Sequence, residues 1–319
     1  MQFLFFLVRC SIILIISMGA SNAQMYPSQP IRLIVPFAPG GIYDYIGRLI
    51  APSLSVNLGQ QVIIDNRPGG GGVIAMQLAA NAQPDGYTLL LSDPSLINNT
   101  YLHTPPPYNL KDFSPVTIIT TASLVLVVNS KVPANSVTEL LTLAKSGKLN
   151  YGSAGIGSGP HMAAELFKLQ TKADITHVPF KGVGPAVTSL VSGDIQLLFG
   201  SMAGTSGFIK EGQLRGLATT GDKRAKAMPD LPTLSEAGYP GAEINLWAGI
   251  FVPSGTSKTI ITKLNLALQK VLLDPVVKLG LEKASIEPLG LSAENASIFI
   301  AKENDKWGRV IKVAGIKAE

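Results

Sequence analysis

Cysteine is all but missing from this chain. Its 319 residues hold one, Cys10, inside an N-terminal stretch that reads as a removable leader. Met1 to Gln24 carries no acid and one base, Arg9. Ser11 to Met18 is an apolar run, closed by the small residues Gly19, Ala20, Ser21 and Ala23. That is the layout of a secretory signal peptide with Ser21-Asn22-Ala23 at the cleavage site, so residues 1–23 are expected to be removed on export. Cys10 precedes the apolar run instead of following it, which argues against lipidation. A mature chain without cysteine has no disulfide, no thiol nucleophile and no cysteine-held metal.

Other absences narrow the choice further. No later window approaches the ~18 apolar residues that a spanning helix needs. Gly-x-x-x-x-Gly-Lys-Ser/Thr does not occur, which excludes a P-loop, and neither does the Gly-x-Ser-x-Gly elbow of a hydrolase. The three histidines, His103, His161 and His177, include no pair at metal-ligand spacing. Charged residues make up 15% of the chain. Without Arg9, 25 Lys and Arg stand against 21 Asp and Glu, a net charge of +4. This scattered excess suits an anionic ligand and is far from a nucleic-acid footprint. No cofactor is implied.

Hydrophobic residues, at 46%, supply a large core, and the length suggests about two domains. Apolar β-branched runs alternate with helical patterns. Ile31 to Val35, Val62 to Ile64 and Tyr87 to Leu91 read as strands. Helices through Ile42–Ile50 and Met76–Ala80 separate them, a β-α-β-α-β order that predicts a parallel sheet. A second α/β set begins with the strand Leu124 to Val128. Its helix, Ser136 to Lys145, is capped by Ser136 with Glu139 at capping-box distance. Strands at 149–152, 175–178, 195–199 and 214–219 follow, with helices from His161 and Pro185. After an irregular stretch, 222–241, one strand (Trp247 to Val252) and helices near 257–273, 275–283 and 292–314 complete the chain. This tail is too poor in strands to form its own sheet domain and is expected to return to the first lobe. The crossings would fall near 115–123 and 219–226. The expected division is 24–122 plus 223–319 for one lobe and 123–222 for the other, with a ligand cleft between them.

Two glycine-rich turns carry the chemistry. Pro36-Phe37-Ala38-Pro39-Gly40-Gly41 links a strand to a helix, and so does Ser153-Ala154-Gly155-Ile156-Gly157-Ser158-Gly159-Pro160. First-turn N–H groups of a helix have no internal partner and form a ready anion site. In parallel sheets such turns sit at the carboxyl ends of strands, where ligands bind. A third run, Pro68-Gly69-Gly70-Gly71-Gly72, is a weaker candidate that could serve only the helix after it. Gly155 to Gly159 lacks dinucleotide spacing, and Asp174 precedes its strand where the ribose-binding acid should follow one. Asp44 lies in a first helical turn, as a favourable cap or as a contact for a ligand ammonium. His161 could reach an anion through its N–H or ring, and His177 reads as structural. Lys181, at a strand's carboxyl end, is the best candidate for a charged ligand contact, with a surface role nearly as plausible.

These residues resemble a known family. Pro30-Ile31-Arg32-Leu33-Ile34-Val35-Pro36-Phe37-Ala38-Pro39-Gly40-Gly41, Asn66-Arg67-Pro68-Gly69-Gly70-Gly71-Gly72 and Pro84-Asp85-Gly86-Tyr87-Thr88-Leu89-Leu90 are similar to the substrate-binding receptors of tripartite tricarboxylate transporters, the Bordetella uptake gene type. So are Tyr151-Gly152-Ser153, His161-Met162-Ala163-Ala164-Glu165-Leu166-Phe167, His177-Val178-Pro179-Phe180-Lys181-Gly182, Pro232-Thr233, Glu236-Ala237-Gly238 and Pro253-Ser254-Gly255-Thr256. The match runs from about Tyr26 to Trp307.

The resemblance implies an α/β, two-lobe periplasmic binding protein of the type II, Venus-flytrap kind, each lobe a central sheet flanked by helices. It implies a periplasmic, monomeric receptor with no catalysis. The ligand would be a di- or tricarboxylate, an acidic amino acid or an aromatic carboxylate, delivered to the large and small membrane subunits of a transporter. Carried over, the ligand contacts are Ala38, Gly40, Gly41 and Asp44 in one lobe and Ser153, Gly155, Ser158 and His161 in the other. This chain has Ile42-Tyr43 where members usually have Gly and then Thr or Ser. A hydroxyl donor is lost there and bulk is gained. Two other classes stay open at this point. One is a sensor that docks on a membrane signalling protein. The other is a carboxylate-processing enzyme, for which the sequence offers no nucleophile–base pair, metal cluster or cofactor loop.

Overall fold

The computed structural model describes residues 26–317. The signal-peptide reading of residues 1–23, and Cys10 with it, lies outside the described residues. Ten strands form two sheets that share one long strand, β4 (Phe113–Asn129). In the first sheet β1 (Ile31–Val35) runs parallel to β2 (Val62–Asn66) and β3 (Thr88–Ser92). Then come β9 (Asn245–Pro253), antiparallel to β3 and to the first half of β4, and β10 (Ile286–Pro288) on the far side of β4. In the second sheet β6 (Ile175–Pro179), β5 (Leu149–Ser153) and β7 (Leu197–Ser201) are parallel. β7 and β8 (Leu214–Thr219) flank the second half of β4 in antiparallel register.

The pattern of apolar residues explains this layout. β1 reads Ile-Arg-Leu-Ile-Val and is buried except at the partly exposed Arg32, as a strand covered on both faces by helices must be. Leu124 to Val128 are all fully buried and lie between β7 and β8. β4 itself changes partners after Ser123: Phe113–Ser123 pair with β9, and Leu124–Asn129 with β7 and β8. The chain thus passes between lobes without leaving the strand.

Helices cover both sheets. In the first lobe they are α1 (Ile42–Leu58), α2 (Val73–Ala80) and α3 (Ser95–Leu102). In the second they are α4 (Val137–Ala144), α5 (Gly159–Thr171), α6 (Val183–Ser192) and α7 (Met202–Lys210). Ser136 caps α4 by accepting the Glu139 N–H, while the Glu139 carboxylate accepts from Asn135 N–H in place of Ser136 N–H.

The tail helices α8 (Lys258–Leu273), α9 (Pro275–Lys283) and α10 (Ala293–Ala314) pack on first-lobe elements: α8 and α9 on α1, α10 on α3 and β4. Trp307 of α10 is fully buried, and its indole N–H shares Glu303 Oε2 with that of Trp247. The return path is more gradual than a crossing near 219–226. The chain leaves β8 there, yet Pro232 and Leu234 still bond to Thr219, and the Tyr239 hydroxyl meets Thr138 of α4. β9 then begins at Asn245.

Candidate functional site

Four helices begin where the two lobes face each other. The β1–α1 turn brings Gly41, Ile42 and Tyr43, the β5–α5 turn Ala154 and Pro160, the β6–α6 turn Val183, and the end of β7 Ser201; all border one enclosed cavity. Each turn follows the carboxyl end of a strand in a parallel set, where the outward N–H groups of a helix start can meet a ligand. The cavity measures about 10 Å³, the room of roughly one water. A larger groove, about 510 Å³, lies where the two lobe crossings meet α9 and β10. Its lining holds Lys223, Arg224, Lys226 and Lys278 beside Asp222, Glu282 and Glu287, and neither the β1–α1 nor the β5–α5 turn reaches it. The smaller cavity is therefore the candidate site.

The lobes meet closely around it. Ala38 N–H donates to Lys181 O at 3.2 Å, and the Asn98 side-chain N–H₂ donates to Gly157 O at 2.9 Å. Glycines make the approach possible. A Cβ on Gly182 would come within 3.0 Å of Ala38 N, and one on Gly71 would stand 1.7 Å from Ile156 O. The third glycine run thus does more than support α2: Gly71, at φ +60°, is where the first lobe touches the second.

The residues singled out by sequence take different parts. Ile42 and Tyr43 line the cavity with Gly41, and α1 has no side-chain cap at Gly41. Gly40 turns with φ +93° and donates its N–H to Asp44. Asp44 is buried in a network with Arg48 and Asn66. Burial alone would raise its carboxyl; hydrogen bonds from Arg48, Gly40 N–H and Asn66 outweigh it and hold the group below the usual range. This is a structural anchor for the turn. Asp44→Ala is expected to lower unfolding free energy by about 1–3 kcal/mol, read by urea denaturation, with Asp44→Asn losing less.

In the second turn most donors are used inside the chain. Gly155 N–H donates to Ser153 Oγ, and Gly157 N–H to His161 Nδ1. Ser158 Oγ donates to Gly155 O and does not cap α5. Pro160 has no N–H to offer. His161 stacks on His177 at 4.3 Å between ring centroids, and His177 stacks on Tyr151 and pairs with Ser153 Oγ at 2.6 Å. Burial pushes His161 down to about 4 and, with the neighbouring His161 and Lys168, pushes His177 to about 3, so both rings are neutral at pH 7. Lys181 brings its carbonyl to the lobe contact; its side chain is exposed and does not line the cavity. No metal-holding cluster occurs among the described residues.

The sequence reading missed Asp93. It follows β3 directly, in Ser92-Asp93-Pro94, the same strand-end position that the glycine turns occupy. It is fully buried, and its Oδ1 accepts from Ser95 N–H and Ser95 Oγ. The Tyr43 hydroxyl and the Gly159 N–H of the other lobe face the carboxyl, and Asp93 Oδ2 and Tyr43 Oη have no hydrogen-bond partner within range. Burial pushes Asp93 up to about 7, against the Ser95 bonds that favour the carboxylate. Ser92, Asn98 and Asn99 also carry buried unpartnered atoms. Such atoms are scarce in folded proteins, and Ser92, Asp93, Asn98 and Asn99 gather them between the end of β3 and α3.

Comparison with known proteins agrees on the class. The family model described as "Tripartite tricarboxylate transporter family receptor" matches residues 46–316. The periplasmic binding protein BugD superimposes with a TM-score of 0.88 at 30% identity, over 92% of this chain and 100% of its own. A Rhodopseudomonas palustris protein, MatC, solved with bound malate, matches with a TM-score of 0.86 at 30% identity, over 90% and 100%. A second R. palustris protein, Rpa4515, solved with adipate, gives 0.87 at 35% identity, over 92% and 99%. These relatives are solute-binding proteins, not enzymes.

Proposed function

Because the chain belongs to the tripartite tricarboxylate transporter receptor family, we propose that it captures a small organic anion between its lobes in the periplasm and delivers it to the large and small membrane subunits of such a transporter. One observation carries the reading: helix starts from both lobes converge on a single cavity that no Lys or Arg lines. The dipoles and unpaired N–H groups of helix starts favour an anion without a cationic side chain. Because the donors come from both lobes, the ligand favours the closed state by its differential contacts there. MatC holds malate and Rpa4515 holds adipate, so a carboxylate is the natural anion. Ala38, Gly40, Gly41, Ile42 and Tyr43 would meet it from one side and Ser153, Gly155, Ser158 and His161 from the other, with Asp44 behind the first turn. The receptor acts as a monomer, exported after loss of residues 1–23. Isothermal titration of the purified mature protein with a panel of mono-, di- and tricarboxylates tests this. Micromolar or tighter binding of at least one anion, about −8 kcal/mol, is expected; failure of the whole panel to bind would overturn it.

A further inference from the structure

Among the described residues the chain passes the boundary between the lobes at three places, and one residue joins them. β4 crosses between Ser123 and Leu124, where its partners change: Ser123 pairs with Asn245 of β9, and Val125 with Thr219 of β8. The chain crosses again after β8, through Thr220 and Gly221, towards Lys223 and Ala227, which contact Glu287 and Ser285 of the first lobe. It crosses a third time at Ile244 and Asn245, entering β9. On this edge Leu124 therefore lies between the end of one partner strand and the start of the other.

Thr220 fills that gap. Its N–H donates to Leu124 O at 2.9 Å, and its Oγ1 accepts from Leu124 N–H at 2.8 Å. The same hydroxyl donates to Ile244 O at 2.7 Å, and Ile244 N–H donates to Thr220 O at 2.9 Å. Four hydrogen bonds thus tie the middle crossing to the other two. Thr220, Leu124 and Ile244 are all buried, so loss of the hydroxyl would leave a buried N–H and a buried C=O unpaired. Gly221 lets the chain lie against β4 here: a Cβ on it would come within 3.1 Å of Ser123 Cβ.

The side chain stands where a strand carbonyl would continue the ladder. A hydroxyl has two lone pairs and a proton that rotates to suit, so it keeps both bonds through a change of angle between strands that a peptide group, fixed in its plane, tolerates less. The bonds on the cleft side are different. Ala38 N–H to Lys181 O and Asn98 to Gly157 O join the lobes directly and must break when the lobes part.

We propose that Thr220 is the pivot of lobe closure: its four bonds persist in the open and closed states, and the lobes rotate about the point where it joins the three crossings. Hinge motions are absorbed at a few such element-terminal residues. Thr220 does not line the cavity; it is a positioning residue, which returns the helix starts of the second lobe to one place opposite those of the first. The proposal rests on the reading that the lobes part and close around a ligand.

The test measures the lobes without any ligand. A chain lacking residues 1–23 has no cysteine, so Val56→Cys on α1 and Lys210→Cys on α7, both exposed and in different lobes, carry spin labels at those sites alone. Pulsed dipolar spectroscopy then gives the distribution of distances between the lobes. Thr220→Val keeps the side-chain shape without the hydroxyl and is expected to widen the distribution about twofold, whereas Thr220→Ser keeps the wild-type width. Thr256→Val loses a buried hydroxyl bond to Pro253 O inside the first lobe; it is expected to lower the melting temperature as Thr220→Val does and to leave the width unchanged. A folded Thr220→Val protein with the wild-type width overturns the proposal. Should that variant not fold, hydrogen exchange in the wild type decides. The Leu124 and Ile244 N–H groups are expected to exchange as slowly as that of Leu126. Exchange about 100-fold faster at either would mean that the pivot bonds break as the lobes open, and would overturn the proposal. Neither measurement needs a bound anion, so failure of the carboxylate panel and failure of the pivot are separate results.

Discussion

Gly71→Ala is expected to bind its anion at least 100-fold more weakly than wild type while melting within about 5 °C of it. Gly71 sits at φ +60°, and a methyl group there would stand 1.7 Å from the Ile156 carbonyl oxygen of the other lobe. The obstacle is backbone, so no side-chain rotation relieves it. Gly155 returns the contact: its own Cβ would lie 3.0 Å from Gly71 Cα. Alanine in the left-handed region costs about 1–2 kcal/mol, a small part of the stability of a chain this size. The clash itself acts only when the lobes meet, so it falls on closure. A 100-fold loss corresponds to about 2.7 kcal/mol, well below what overlap of this depth demands, and Gly155→Ala is expected to act in the same direction. Calorimetry with the tightest anion of the panel, beside a thermal melt, gives both numbers. An affinity within threefold of wild type would show that the Gly71–Ile156 contact is absent from the liganded state.

That residue also shows where sequence reading stops. Four glycines in a row announce an unusual backbone, and Gly69 to Gly72 all have positive φ. What they approach is set by Ile156, on another lobe and far along the chain, and no local pattern encodes such a partner. Ile42 and Tyr43 were legible as a departure from the family because they stand inside a motif. Asp93 was not, because Ser92-Asp93-Pro94 has the composition of an ordinary turn. Its position at the end of β3 is the signal that could have found it, since strand ends in a parallel sheet face the ligand side. The long strand β4 was read only over Leu124 to Val128. Its first half carries Pro115 and a run of threonines and is buried by β9 and β10, partners that come from the far end of the chain. The short helices α3 and α7 were missed for a simpler reason. Ser95-Leu96-Ile97-Asn98-Asn99-Thr100 and Met202-Ala203-Gly204-Thr205-Ser206-Gly207 are poor helix formers, held in place by tertiary packing. The strand β1 was legible because its apolar run is broken only at Arg32, and the tail helices α8 and α10 because their patterns run for 16 and 22 residues.

Acid unfolding gives the other large effect, and it links the cleft to the second lobe. Between about pH 4 and 6.5 the wild-type protein is expected to lose roughly 1.4 kcal/mol of stability per pH unit as the pH falls, and Asp93→Asn about twice that. His161 and His177 are held neutral in the fold, near 4 and 3, against 6.5 when unfolded. In that window the unfolded chain binds their protons and the folded protein does not. Stability from each is therefore full above 6.5 and drains away as the pH drops towards the folded value. His177 is partly exposed and contributes less than His161. Glu165 favours and Lys168 opposes charging of the His161 ring, and Lys168 also opposes charging of His177. Asp93 works with the opposite sign. Its folded carboxyl titrates near 7 against 3.8 unfolded, so the folded protein takes up a proton that the unfolded chain does not, and acid stabilises it. In wild type that gain cancels about one histidine. Asparagine removes it and leaves both histidine losses exposed. Asp44, held low by Arg48, Gly40 N–H and Asn66, and Asp65, held low by Arg67 and Arg32, begin to lose their contribution below about pH 5, and do so alike in both proteins, so the difference between the two slopes is unaffected. Urea unfolding at pH 4.5, 5.5 and 6.5 measures the slopes, and equal slopes in the two proteins would mean that Asp93 is ionised in the fold across this range.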